Sequence, residues 1–152
     1  MTMELNDYNL QSSIGYLLGL TSRVHEKRLE TQLREISLSR VAFTVLFAVG
    51  RAGRAQPSEI AYFLHAEPPA VSRALKALEK DGLIIVGRAD SDKRVHLVGL
   101  TPKGQESLRN GIQAAIEANG FIRDALSGAE LEALGEMLSK IRGPGEVKLG
   151  AL

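Results

Sequence analysis

Three cations recur within residues 68–84, PPAVSRALKALEKDGLI: Arg73, Lys76 and Lys80. Placed at about 100° per residue they share one side of a helix, while Val71, Ala74, Leu75 and Leu78 gather almost opposite. Pro68 and Pro69 fit only a first turn, where a missing N–H costs little, and Gly82 stands where a helix normally stops. The spacing predicts a short helix with one dry face and one basic face. Such a face is either solvated surface, as most charged helix faces are, or a surface for a polyanion. Guanidinium and ammonium groups pair with phosphate oxygens, and arginine's planar fork also matches the edge of a base.

More charge follows in LIIVGRADSDKRVHLVGL, where Arg88, Lys93 and Arg94 are interleaved with Asp90 and Asp92. Arg51 and Arg54 stand in RAGRAQ, as surface charge or as phosphate contacts. Chemistry of other kinds finds no support. His25, His65 and His96 fall on different expected elements with no paired-ligand spacing. There is no nucleophile–base pair, no glycine-rich phosphate loop and no cysteine. We therefore expect no enzyme, no metal site and no cofactor.

The elements that must position these cations can be read from periodicity and caps. Leu10, Ile14, Leu17, Leu18, Val24, Leu29, Leu33 and Ile36 recur at helical spacing over residues 9–36. Ser37 or Ser39 can cap a second helix that carries Val41, Val45, Leu46 and Val49 and ends at Gly50. Pro57 opens a short third helix with Ile60, Ala61 and Leu64 inward, and the basic helix follows after a tight connection. Two short helices so joined form a helix-turn-helix pattern. LIIVGR and VHLVGL then read as strands around the turn ADSDK. Thr101 and Pro102 open a fifth helix with Leu108, Ile112, Ala115, Ile116 and Ile122 on its buried side, weakened by Gly111 and Gly120. Ser127 and Glu130 form a capping box before Leu131, Leu134, Leu138 and Ile141.

The 152 residues, 44% hydrophobic and 5% aromatic, allow one globular domain or two small subdomains sharing an aliphatic core. The net charge of +1 is unevenly spread: residues 37–101 hold nine Lys/Arg against six Asp/Glu. No apolar run approaches the roughly 18 residues that span a bilayer. The beginning MTMELNDYNL lacks the regions of a signal peptide, so a cytoplasmic chain without a membrane partner is expected.

The string VSRALKALEKDGLIIVGRADSDKRVHLVGLTPKG, in this order of elements, resembles the MarR (multiple antibiotic resistance regulator) family of winged helix-turn-helix transcription regulators. Val71-Ser72-Arg73, Leu78-Glu79, Gly82-Leu83, Arg88, Asp92-Lys93-Arg94, Val95, Leu100-Thr101 and Gly104 stand where that family has such residues, and the likeness runs from about Ser12 to Arg142. The resemblance implies a mainly α fold with a small β-hairpin wing (α+β). Residues 37–101 would form the DNA-binding lobe, residues 9–36 plus 102–142 the helical dimerisation region, and residues 1–8 and 143–152 flexible tails. It further implies a sequence-specific regulator, most often a repressor, binding palindromic double-stranded DNA as a homodimer at the bacterial nucleoid.

Arg73 is then the candidate for a guanine edge, Ser72 and Lys76 for base or phosphate, and Lys80 for backbone. Lys93 and Arg94 would enter the minor groove, steadied by Asp90 or Asp92, with Arg88, Arg51 and Arg54 nearby. Glu67, Pro68, Pro69 and Ala70 depart from the family's small hydroxyl residues and leave the register of base reading open. The family's effector pocket would place Tyr16, Arg23, Arg40 and Thr44 beside a small organic ligand, anionic or aromatic; read as residues alone, they are packing or surface. A protein-interaction module that kept the fold without DNA binding is the rival reading.

Overall fold

The computed structural model describes residues 8–53, 55–89 and 95–143. One 3-10 turn, Leu10–Ser12, leads into helix α1, Ile14–Glu35, which Ser13 caps by accepting from the Tyr16 N–H at 3.4 Å. The chain leaves α1 through Ser37, whose φ is +56°. Ser39, not Ser37, caps α2 (Arg40–Gly50), accepting from the Ala42 N–H at 3.1 Å. Helix α3 (Pro57–Phe63) starts on a capping box of Gln56 and Glu59, with proline in its first turn. The turn to α4 (Pro68–Lys80) passes through His65 at φ +51°, one of the few residue types that enter the left-handed region readily.

Gly82, at φ +70°, ends α4 and turns the chain into the hairpin. Strand β1 (Ile84–Arg88) pairs antiparallel with β2 (His96–Leu100), in register from Ile84 opposite Leu100 to Arg88 opposite His96. The Ala89 N–H extends the ladder to the Val95 carbonyl at 3.0 Å, and the Val98 N–H reaches back to Ala55 at 2.7 Å. The hairpin is thereby tied to the segment before α3. Ile84 and Val98 face the core, while Ile85 faces out.

Thr101 caps α5 (Pro102–Ala118) by accepting from the Gly104 N–H at 3.0 Å. Here the structure departs from the expected single helix through Ile122. Just before Gly120, the Asn119 side-chain amide and backbone N–H both donate to the Ala115 carbonyl, at 2.8 and 3.1 Å. The helix is interrupted at Asn119 and resumes as α6 (Gly120–Ala125), and Ile116, expected on the buried side, is 42% exposed. Helix α7 (Gly128–Arg142) begins on the expected capping box of Ser127 and Glu130.

The core is aliphatic and continuous. Leu33 of α1, Val45 and Leu46 of α2, Ile60 of α3, Val71 of α4 and Ile84 of β1 are its largest fully buried side chains. Leu75, Leu78, Val98, Leu108 and Ala114 complete it, so α1 and α5 share a core with the helix-turn-helix. Gly111 is a fit rather than a weakness. A Cβ there would stand 2.5 Å from the Phe43 ring and 3.1 Å from Leu38.

Candidate nucleic-acid interface

Helix α4 is positioned by what it buries. Val71, Leu75 and Leu78 lie in the core with Ile60 and Ala61 of α3, and Ala74 is half-buried beside them. That packing turns Ser72, Arg73, Lys76 and Lys80 outward, all exposed, along with Pro69 and Ala77. Among the described residues, no ion pair or hydrogen bond occupies the charged ends of Arg73, Lys76 or Lys80. A row of uncompensated cations on a rigid, convex helix suits a line of phosphates. Arg88 is exposed at the outer end of β1, and Arg51 is exposed at the C-terminal cap of α2, where a cation also complements the helix dipole. Arg54, Asp90, Asp92, Lys93 and Arg94 lie outside the described residues, as do most of the expected tails.

Among the described residues, the main clefts hold only Arg40 of the four expected effector residues. Arg40 pairs with Glu26 at 3.4 Å, joining α2 to α1, and lines an open cleft of about 600 Å³ with Glu30, Arg34, Ser37, Leu38, Ser39 and Val41. The Thr44 hydroxyl is bonded within its own helix, to the carbonyls of Arg40 at 3.1 Å and Val41 at 3.0 Å. Tyr16 is half-buried and Arg23 exposed on the N-terminal half of α1, and neither reaches that cleft. A second cleft of about 410 Å³, between α1 and the end of α5, is lined by Val24, Lys27, Arg28, Thr31 and Glu117, among others. Arg28 lies over the Phe121 ring, 4.5 Å from its centroid. Sequence reasoning missed Arg34 as a partner of Arg40, although its place in the last turn of α1 beside Ser37 was a usable signal. No group of three or more His, Cys, Asp or Glu that could hold a metal ion occurs among the described residues, and no described helix is long and apolar enough to cross a membrane.

Residues 38–96 match the sequence profile of the MarR family. The chain is 31% identical over 89 residues to YwoH of Bacillus subtilis, an uncharacterized HTH-type transcriptional regulator; the match covers 59% of this chain and 64% of that relative. Among solved structures, CouR from Rhodococcus jostii, bound to p-coumaroyl-CoA, superposes with a TM-score of 0.79 at 21% identity, over 91% of this chain and 98% of CouR. A mutant MarR from E. coli, complexed with operator DNA, superposes with a TM-score of 0.77 at 23% identity, over 91% of this chain and 99% of the other. These structural likenesses establish a mainly helical winged helix-turn-helix fold. The family is one of transcription regulators, not of enzymes.

Proposed function

We infer, from the match of residues 38–96 to the MarR-family profile, that this chain is a MarR-type regulator that binds DNA sequence-specifically and works as a homodimer. The observation that carries the reading is the division of α4. Its apolar side is locked into the core, and its opposite side offers Arg73, Lys76 and Lys80 without intramolecular partners among the described residues. Residues 37–101 act as the DNA-binding lobe, and residues 9–36 with 102–142 as the dimerisation region. Arg73 reads a base edge, Ser72 and Lys76 read or grip, and Lys80, Arg88 and Arg51 hold backbone. Arg54 and the wing-tip residues Asp90, Asp92, Lys93 and Arg94 extend the contact on sequence grounds. The dimer binds a palindromic site in the cytoplasm and acts as a repressor.

A small anionic or aromatic ligand regulates it. The cleft bearing Arg34 and Arg40 supports this, as does the acyl thioester bound to CouR. Such a ligand acts only through different affinities for two dimer geometries, so DNA must weaken ligand binding by the same factor that ligand weakens DNA binding. The direct test is selection of bound duplexes from a random oligonucleotide pool, followed by titration at fixed salt. A palindromic motif is expected. Binding that tracks salt alone and enriches no motif would remove sequence specificity, and no binding to any duplex would leave the interaction-module reading in its place.

A further inference from the structure

A helix that reads a groove must be held at its end as well as along its length. Three successive carbonyls, those of Asp81, Gly82 and Leu83, follow α4 beyond its own helical hydrogen bonds. All three find donors in one place. The Asp81 carbonyl accepts from Lys103 Nζ at 2.9 Å, and the Gly82 carbonyl accepts from the Thr101 hydroxyl at 2.7 Å. The Leu83 carbonyl accepts from the Thr101 backbone N–H at 3.1 Å. The same Thr101 hydroxyl accepts from the Gly104 N–H at 3.0 Å, so the cap of α5 and the terminator of α4 form one hydrogen-bonded unit. Gly104 is buried against it, and a Cβ there would overlap the Leu83 carbonyl oxygen. Backbone meets backbone with no side chain between them.

We propose that Thr101, Lys103 and Gly104 form a rigid joint that makes the recognition helix follow α5. They are positioning residues for DNA binding that do not themselves touch DNA. This rests on the DNA-binding reading above. Along its length α4 packs on α2, α3 and β1 through apolar side chains, whose contacts are not directional. The joint adds directional bonds at the point where α4, the root of the wing and α5 meet. Groove reading tolerates misplacement of only about 0.5 Å, so a joint that yields loses specific contacts while nonspecific attraction to phosphate persists.

The test uses Thr101→Val and Lys103→Met. Both keep the shape of the side chain, and the second leaves the helix cap intact, so a folding defect in the first does not end the experiment. Each variant is expected to bind the selected operator about tenfold more weakly, with unchanged affinity and salt slope on an unrelated duplex. Equal loss on both duplexes, with a salt slope reduced by about one, would make Lys103 a phosphate contact and overturn the joint. A readout free of DNA separates the two readings. The chain has no cysteine, so Ala77→Cys with Asn110→Cys places spin labels on α4 and α5 of one chain, diluted with unlabelled chains. A narrow distance distribution that broadens in both variants supports the joint even if the parent protein selects no DNA. A distribution that stays narrow overturns it, whatever the DNA result.

Discussion

Arg73, Lys76 and Lys80 share one exposed face at different heights along α4, and the proposed function gives them different work. Arg73 stands in the N-terminal half, where a helix lying in the major groove meets base edges, whereas Lys80 is the last helical residue. Arg73→Ala is expected to relax preference at one symmetric base position at a cost of about 1–3 kcal/mol, and Lys80→Ala to weaken all sequences alike. Selection followed by titration checks both; one altered motif shared by the two variants would reverse the assignment. A second residue-scale prediction concerns Gly111. In an open helix, Gly→Ala gains about 1 kcal/mol of propensity. At this position the added methyl meets the Phe43 ring at 2.5 Å and Leu38 at 3.1 Å, both in the core. Overpacking outweighs propensity, so Gly111→Ala should destabilise by about 1–3 kcal/mol in denaturant unfolding. A stabilised variant would show that the core gives way there. From the sequence, Gly111 carried only the sign of a weakness, because propensity is local and the Phe43 ring arrives from 68 positions earlier.

At the scale of elements, what was legible in the sequence is what local chemistry fixes. The caps at Ser39, Thr101 and Ser127, the first-turn prolines 57, 68 and 102, and the Gly82 terminator each act within a few residues, and each is present. The break at Asn119 was not legible, since Gly120 alone reads as a weak helical position and not as an end. The joint at the end of α4 was half legible. Thr101 and Gly104 could be read as a cap and a glycine, but the Lys103 bond to Asp81 spans 22 positions. The cap of α7 yields a pH prediction. The Glu130 carboxylate accepts from the Ser127 N–H and hydroxyl, each at 2.8 Å, and these bonds hold its pKa below the ordinary carboxylate value, the backbone bond contributing most. A carboxylate lowered in the folded chain contributes stability above its unfolded pKa, and that contribution is lost as pH falls through the lowered value. Acidification below the ordinary glutamate range should therefore fray the start of α7 first. In an NMR titration, the Ser127 amide should shift with a midpoint below that of a glutamate without such hydrogen bonds, and Glu130→Gln should abolish the transition. A midpoint at the ordinary value would mean that the cap does not form in solution.

The whole molecule has more apolar surface at its terminal helices than one chain covers. Leu10 is 55% exposed, Ile14 66%, Leu17 43%, Leu138 41% and Ile141 62%, whereas the helix-turn-helix buries its large aliphatics. Monomers rarely leave such stripes in water, and here they lie on the turn before α1, on α1 and on α7, none of which is the element that carries the basic face. A second copy placed on these stripes covers like with like under two-fold symmetry and needs a buried area of about 1,600 Å² or more to be stable. It also sets the two recognition helices at a fixed separation, about 34 Å for successive turns of one DNA face. On the proposed function, dimerisation and groove reading therefore stand or fall together. Light scattering at micromolar concentration should give a dimer, and a monodisperse parent monomer would remove the premise. Leu138→Glu with Ile141→Glu should give a folded monomer, because neither side chain belongs to the core around Leu46 and Val71. Its operator affinity should fall by far more than tenfold, since each half-site is then bound without its partner. If that monomer bound the palindrome as tightly as the parent, one lobe would suffice, and α5 would have no separation to transmit to α4.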